Sequence, residues 1–528
     1  MNQTFVNIAR IACVVLGMLT AQASAQQSVA SYEGPDPALE LSAARRFDAI
    51  RNDPVALRMR LRAMPKGGDL HNHLTGAIYA ESYLRWAAED GVCIDPVALR
   101  LVPAVAGACA VDLVPAAQAS HDIALYRRMV DAASMRNFVA GAPLRGGLAN
   151  ASALQAGDAS GHDHFFSAFD KVRGARQGRA ADMLAEVANR AADEGVSYLE
   201  LMVSPGMSQM HGLAGSPGES YEQQWVRYEA LAAPVVEQVT AVSRADEAGM
   251  REKLGCASPS PQPGCSVTIR YLSEVNRTRS VDEVFAQGVL AHRLGAADPR
   301  FVGFNLVGPE DSPQALADYR NQMTVLAWLH QRNPDFPLAL HAGELVEGLV
   351  PPEHLLFHIR EAVQVAGARR IGHGVDLAYE RDALALLQLM ARKQVAVEIN
   401  LSSNDLILGV KGKRHPLGAF LKAGVPIVLS TDDPGIARIT LTHEFAKAVE
   451  EQALDYVTLK TAVRNSLEFA FVEGASLWTG GGAQPRRIVP ACRDLDSPSC
   501  VRHVAGSTRA RLQADLERAL IAFERAMP

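Results

Sequence analysis

The sequence has no block of basic residues, no glycine-rich phosphate loop, no internal repeat and no apolar run long enough to cross a bilayer. Each absence removes a class of protein. The formal net charge is only −6 over 528 residues, and no Lys/Arg stripe forms, so no nucleic-acid partner is expected. The N-terminal apolar stretch, Ile11 to about Ala21, falls short of the ~20 residues a spanning helix needs, so no membrane anchor is expected. No glycine-rich loop follows the first β-type run, which argues against an open, doubly wound nucleotide-binding sheet. What remains is an ordinary globular composition, 48% hydrophobic and 21% charged.

The N-terminus has the form of a secretory signal peptide over residues 1–25. Arg10 precedes the apolar run, and Ala23-Ser24-Ala25 supplies a small-x-small cleavage site before Gln26. Export, to the periplasm or out of the cell, is the expectation. Cysteine usage agrees. Cys13 lies in the signal; the other six form three pairs close in sequence, within loop-like stretches. The expected disulfides are Cys93–Cys109, Cys256–Cys265 and Cys492–Cys500. None of these cysteines is placed to act as a nucleophile or a zinc ligand.

Residues 26–63 carry apolar positions at spacings of three and four, from Leu39 to Leu61, and read as a helical arm stopped by Pro65. Within 64–475 there are eight β-type runs: 68–74, 196–204, 266–274, 301–308, 337–344, 370–375, 394–402 and 426–433. Helical patterns separate most of them, for example over 180–194, 314–331 and 383–393. Strands alternating with helices imply parallel βα units, and eight of them imply an α/β fold of the (β/α)8 barrel type. Two spans exceed the needs of a barrel: 75–195, expected to be mostly helical, and 245–265, rich in Pro, Ser and Gly. Both read as insertions over the active face. Residues 476–528 read as a C-terminal loop and helix.

Several of these runs end in chemically capable residues, as expected where one site is assembled from strand C-termini. His71 and His73 stand two apart on a strand and can aim two imidazoles at one point. With His341 and Asp432 from later strands they form a ligand set suited to Zn²⁺. Glu344, three residues past His341, can shuttle a proton beside a metal-bound water. His373, between two glycines, can orient the hydroxide or stabilise a developing oxyanion. Asp433 can bond the substrate, and Gly308 can offer its backbone to a flat ligand. Taken singly, each has a bland reading: a helix N-terminal Glu, a core histidine, a turn-capping Asp, a turn glycine.

At this point the sequence resembles the adenosine/AMP deaminase family, in the metal-dependent hydrolase superfamily. The matching stretches are Met64-Pro65-Lys66 with Asp69-Leu70-His71-Asn72-His73-Leu74, His341-Ala342-Gly343-Glu344, Gly372-His373-Gly374 and Leu429-Ser430-Thr431-Asp432-Asp433-Pro434. Phe165-Phe166-Ser167-Ala168-Phe169-Asp170 and Gly195-Val196-Ser197-Tyr198-Leu199-Glu200 match a helical insertion and the second strand. The resemblance covers roughly residues 60–470. With its signal and arm, the chain is most similar to the secreted branch, the adenosine deaminase-related growth factors, which implies a homodimer formed through the arm.

The resemblance implies a zinc-dependent hydrolytic deamination of adenosine, and of 2′-deoxyadenosine, to the inosine product and ammonia. It implies one Zn²⁺ per chain on His71, His73, His341 and Asp432; strand four, Phe301–Gly308, has no Lys to bridge a second metal. Glu344, His373 and Asp432 would be catalytic. Gly308 and Asp433 would bond the purine, with Phe165 and Phe169 as apolar lid positions. Thr75 stands where the family commonly has an Asp that bonds the ribose 5′-hydroxyl. That departure leaves room for adenine or a 5′-modified adenosine. AMP is disfavoured, because no cluster of Arg or Lys near these motifs suggests phosphate binding. The competing readings are another mononuclear amidohydrolase, and an extracellular nucleoside-binding, growth-factor-like protein with a dead site. The latter predicts a lost ligand or shuttle, and none of the five residues is lost.

Overall fold

The computed structural model describes residues 32–139, 160–216, 218–482 and 484–527. The expected signal peptide, with Cys13, and the first residues of the arm, 26–31, lie outside the described residues. No helix among those described is long and apolar enough to cross a membrane.

Eight parallel strands carry the architecture: β1 (Gly67–His73), β2 (Val196–Val203), β3 (Thr268–Asn276), β4 (Phe301–Val307), β5 (Ala339–Ala342), β6 (Arg370–His373), β7 (Ala396–Ile399) and β8 (Ile427–Leu429). They pair in chain order as two four-stranded sheets, β1 to β4 and β5 to β8. Single parallel bridges join the sheets at both seams: Phe304 faces Leu338 just before β5, and Asn72 of β1 faces Asp432 just beyond β8. At the second seam Asp432 N donates to His71 O at 2.8 Å, and His73 N donates to Asp432 O at 2.9 Å. The ring is thereby closed into the expected (β/α)8 barrel.

The strands are rich in Val, Ile, Leu and Tyr and are buried on both faces, as helix-covered parallel strands must be. The intervening helices start at clear signals. Ser220 with Gln223 and Ser280 with Glu283 form capping boxes. Ser312 caps a helix that begins with Pro313. Low in the barrel, Met202, Leu272 and Ala339 pack against Phe471. Above them Arg370 spans the interior, bonded to Glu200 and Glu398 at 2.5 Å each. A fully buried charge of this kind persists because both carboxylates satisfy it.

The arm forms helices Pro37–Ile50 and Pro54–Ala63. Its apolar face (Ala43, Phe47, Leu57, Leu61) is buried against the same chain, with the Phe47 ring beside Tyr456. Three features differ from the sequence expectation. First, the C-terminal loop contains strands Trp478–Gly481 and Gln484–Ile488, and Tyr32–Glu33 adds to the latter in parallel. These segments are too short and glycine-rich to show a strand period. Second, the 75–195 span includes a small antiparallel sheet (Cys93–Asp95, Arg100–Val102, Val114–Pro115). Third, much of 245–265 is not an active-face insertion. Helix Tyr221–Lys253 runs through its first half, and the remainder leads into the N-terminal end of β3, opposite the strand ends that bear the site. All three expected disulfides are present, with Cα separations of 5.7, 5.4 and 4.4 Å.

Candidate active site

The barrel brings together residues that are hundreds of positions apart. His71 Nε2 lies 3.3 Å from Asp432 Oδ1, and His73 Nε2 lies 3.4 Å from the same oxygen. His341 Nε2 lies 3.4 Å from His73 Nε2. The ligand atoms of His71, His341, His373 and Asp432 fall within 4.8 Å of one another, as do those of His73, Asp432 and Asp433. Asp432 belongs to both groups and sits at their common centre.

Which nitrogens can bind a cation follows from what holds the other side of each ring. His71 Nδ1 meets Glu398 Oε2 at 2.6 Å, and His73 Nδ1 meets Glu274 Oε1 at 2.7 Å. His341 Nδ1 meets Asn305 Oδ1 at 2.7 Å; that oxygen also accepts from His341 N, so it is the amide's acceptor end. All three rings therefore carry hydrogen on Nδ1 and turn Nε2 to the centre. His373 is wired the other way. Leu417 N donates to His415 Nδ1, so His415 Nε2 donates to Asn404 Oδ1 at 3.0 Å. Asn404 Nδ2 then donates to His373 Nδ1 at 2.9 Å, which leaves the hydrogen of His373 on Nε2. Its Nε2 faces Glu344 at 3.7 Å and Asp432 Oδ2 at 3.9 Å as a donor.

The residues fit a divalent cation. The buried Nε2 of His71 has no hydrogen-bond partner, a state buried polar atoms avoid unless something else satisfies them. Burial alone would lower the pKa values of His71 and His73. The carboxylates around them overcome it and raise the values to about 10 and 9: Asp432 and Glu398 for His71; Asp433, Glu274 and Asp432 for His73. The same excess of negative charge attracts a dication, which takes the place of those protons. His341 is held neutral by burial and by its histidine neighbours. Three imidazoles with one carboxylate, and no thiolate, suit Zn²⁺ among the common divalent ions.

The local backbone is shaped to this end. His373 and Asp432 are non-glycine residues with left-handed φ values of 69° and 62°. Such conformations cost about 1–3 kcal/mol and concentrate at functional sites. Gly372 is needed because a Cβ there would come within 2.7 Å of the His71 ring. A Cβ at Gly76 would fall 1.5 Å from Asp433 Oδ1.

Two carboxyls at the centre are pushed towards their protonated forms. Burial raises Glu344 to about 8, reinforced by Asp432 and by Glu310. Burial also raises Asp433 well above the carboxylate range, with Asp432 and Glu274 adding to it against His73. Asp433 Oδ1 is buried with no hydrogen-bond partner. Glu344 is held from behind: Glu310 accepts from Gly343 N at 3.1 Å and Glu344 N at 2.8 Å. Glu310 is itself kept ionised, at about 2, because Arg277 and His358 outweigh the burial that would raise it.

A cavity of about 660 Å³ opens over this centre. His73, His341, Glu344, Asp432, Asp433 and Gly308 line its inner end, and Thr75, Phe165 and Phe169 line its walls. The two phenylalanines belong to helix Gly161–Val172, which packs on Met135, Ile407 and Ile436. Every residue singled out in the sequence for the site therefore faces this one space or, like His71 and His373, lies directly beneath it. Five residues that hold the site were not singled out: Glu274, Asn305, Glu310, Glu398 and Asn404. For two of them a signal was present, since Asn305 and Glu398 are lone polar residues in otherwise apolar strands.

The family model for adenosine deaminase matches residues 149–476, more than half of the chain. The chain belongs to the adenosine deaminase family. As a member of that family it is a hydrolytic deaminase, and the buried His/Asp cluster could hold its metal ion. The matched span starts after β1, so His71 and His73 lie outside it and reach the site through the barrel seam. Among curated proteins, an adenosine deaminase of Escherichia coli is 29% identical over 286 residues, 53% of this chain and 70% of that one. An adenosine deaminase of Erwinia tasmaniensis is 28% identical over the same extent. Among solved structures, an Arabidopsis N6-mAMP deaminase is 19% identical, covers 78% of this chain and 95% of its own, and superposes with a TM-score of 0.47. An amidohydrolase from Burkholderia ambifaria with bound zinc is 16% identical, covers 88% and 94%, and has a TM-score of 0.46.

Proposed function

We propose that this family member removes the 6-amino group of a purine nucleoside, with adenosine and 2′-deoxyadenosine as the simplest substrates and inosine or deoxyinosine plus ammonia as products. The observation that carries the reading is the convergence of three imidazole Nε2 atoms and Asp432 beside Glu344, a carboxyl held towards its protonated form. His71, His73, His341 and Asp432 would hold one Zn²⁺, which supplies Lewis acidity for activating water near neutral pH.

The chain's own residues do the rest. Glu344, protonated by its burial, donates to purine N1 and draws electron density from C6. His373 Nε2–H and the Asp432 carboxylate hold the incoming oxygen at C6, where preorganised charge acts without reorganising. Asp433, also protonated, donates to the acceptor N7. Gly308 meets the N3 edge, and Phe165 and Phe169 exclude water above the ring. The C6–N bond breaks as the amino group takes up a proton released by the added water, and ammonia leaves; the water's other proton returns to Glu344 as the C6 oxygen becomes a carbonyl.

Purified mature protein tests this by the fall in ultraviolet absorbance as adenosine becomes inosine, with metal assayed in parallel. Turnover with one zinc per chain supports the reading; absence of turnover on every 6-aminopurine nucleoside, with zinc bound, ends it. We also propose export after cleavage at Ala25, and a homodimer through the arm, whose Leu41, Val55 and Met59 remain exposed. N-terminal sequencing of secreted material and a sedimentation mass test these two points.

A further inference from the structure

The end of the cavity away from the metal ligands has a composition that a plain nucleoside does not explain. Purine C6 must sit at the inner end, beside Glu344 and Asp432. N9, on the opposite edge of the ring, then points outward, so the sugar and anything attached to it face the rest of the lining, which includes Thr75, Ser208 and Arg176.

Arg176 is the unusual member. Its side chain is half-buried, yet no carboxylate lies within 4.0 Å of its guanidinium among the described residues. Nη2 donates to Phe169 O at 2.6 Å, and Nε is buried with no hydrogen-bond partner. The Tyr83 hydroxyl, which donates to Thr75 O at 2.8 Å, lies beside the guanidinium and ties it to the Thr75 wall. The neighbouring Arg173 is different: it is exposed and paired with Asp170 at 2.5 Å. Glu274, a cavity carboxylate whose charge acts on Arg176, is already committed to His73 Nδ1 and the Ser204 hydroxyl. A partly buried cation without an anion, with one donor already shut off from water, gains when a ligand oxyanion pairs with it. Thr75 matters for the same reason. It contributes a hydroxyl donor where a carboxylate would repel such an oxyanion.

We propose that the preferred substrate is a 6-aminopurine nucleoside carrying an oxyanion beyond its sugar 5′ carbon, and that Arg176 is the residue that recognises it. The proposal rests on the deaminase reading and narrows its substrate class. A phosphate monoester and a carboxylate share the required chemistry. The proposal runs against the expectation that AMP is disfavoured: Arg176 is a single cation rather than part of a basic cluster, and only the fold of the helical insertion brings it to the cavity.

The experiment compares adenosine, adenosine 5′-monophosphate and adenosine 5′-carboxylate as substrates of the full mature chain and of Arg176→Gln and Arg176→Lys. Circular dichroism checks folding, and calorimetry measures binding of inosine and inosine 5′-monophosphate. A charge-assisted contact corresponds to about 10–100-fold in affinity or kcat/KM. The wild type should favour at least one anionic substrate over adenosine by that factor, and whichever of the two is preferred distinguishes phosphate from carboxylate. Arg176→Gln should erase the ratio and Arg176→Lys restore part of it. Thr75→Asp should also reverse it, without touching Arg176. Equal or better turnover of adenosine, with a ratio unmoved in Arg176→Gln, overturns the proposal. If no nucleoside is deaminated, the deaminase reading fails separately, and the binding arm still decides: tighter binding of the 5′-phosphate that is lost in Arg176→Gln supports the oxyanion site, and equal binding refutes it.

Discussion

His73 and Asp432 meet twice across the seam that closes the barrel. The His73 N–H donates to the Asp432 carbonyl at 2.9 Å, and the His73 Nε2 faces the Asp432 carboxylate at 3.4 Å. Barrel closure and metal-site assembly are therefore one event, because the backbone contact that joins β1 to the end of β8 also sets the distance between two ligands. The left-handed φ of Asp432 is retained at this junction. Anything that loosens the seam should loosen the metal.

Metal removal is the direct check. Stripping zinc with a chelator should abolish activity and lower the melting temperature, and zinc should restore both. At free zinc one hundred times its Kd the added stability is about 2.7 kcal/mol. His341→Ala should show neither the zinc-dependent rise in melting temperature nor bound metal. Unchanged metal content in that variant would mean that the ligand set is wrong.

Glu344→Gln removes the proton that burial keeps on the carboxyl, while leaving the four ligands intact. Zinc should stay bound and kcat should fall by about 10²–10⁴-fold. A variant with full turnover would take Glu344 out of the mechanism.

Asn404 is predicted to act through the tautomer of His373. Asn404→Asp replaces the amide donor with an acceptor, so Nδ1 of His373 must carry the hydrogen and Nε2 loses it. Turnover should drop by about 10²–10⁴-fold, with metal content unchanged, as expected for an imidazole in the wrong form. Proton resonances of the His373 ring would show the hydrogen on Nε2 in the wild type. Finding it on Nδ1 would refute the relay from Leu417 through His415 and Asn404.

The aromatic helix over the cavity is latched by His162, whose Nε2 meets Asp311 at 3.0 Å and whose Nδ1 meets Asp163 at 3.1 Å. Burial would lower its pKa, but Asp311 and Asp163, with Glu344 farther off, raise it to about 9. A raised folded-state pKa means the latch contributes fully below about 6.5, its ordinary value, and is lost as pH rises through about 9. Hydrogen exchange across residues 161–172, corrected for intrinsic rates, should accelerate over that window. His162→Gln should remove the step; a step that persists would belong to another group.

Local chemistry was legible in the one-dimensional pattern wherever a single strand or loop holds it. The His71/His73 pair follows from the two-residue period of a strand. The eight β-type runs follow from β-branched and aromatic content between helical periods. The pairing of six cysteines follows from their closeness in the chain. Even the short β5 to β8 lie within β-type runs, and they are shorter than those runs because residues at their ends leave extended geometry to aim site groups inward, as the left-handed His373 and Asp432 show.

Tertiary structure alone decided which nitrogen of each imidazole is free, because Glu398, Glu274, Asn305 and Asn404 reach their histidines across 327, 201, 36 and 31 positions. Only burial among other carboxyls could raise Glu344 and Asp433, since a pKa reports surroundings that no neighbour in sequence supplies. Arg176 became part of the cavity only when a helical insertion folded over the barrel. The amino-acid order dictated the ligands and the strands that bear them; the closing of the ring dictated their protons, their charges and the space left for a substrate.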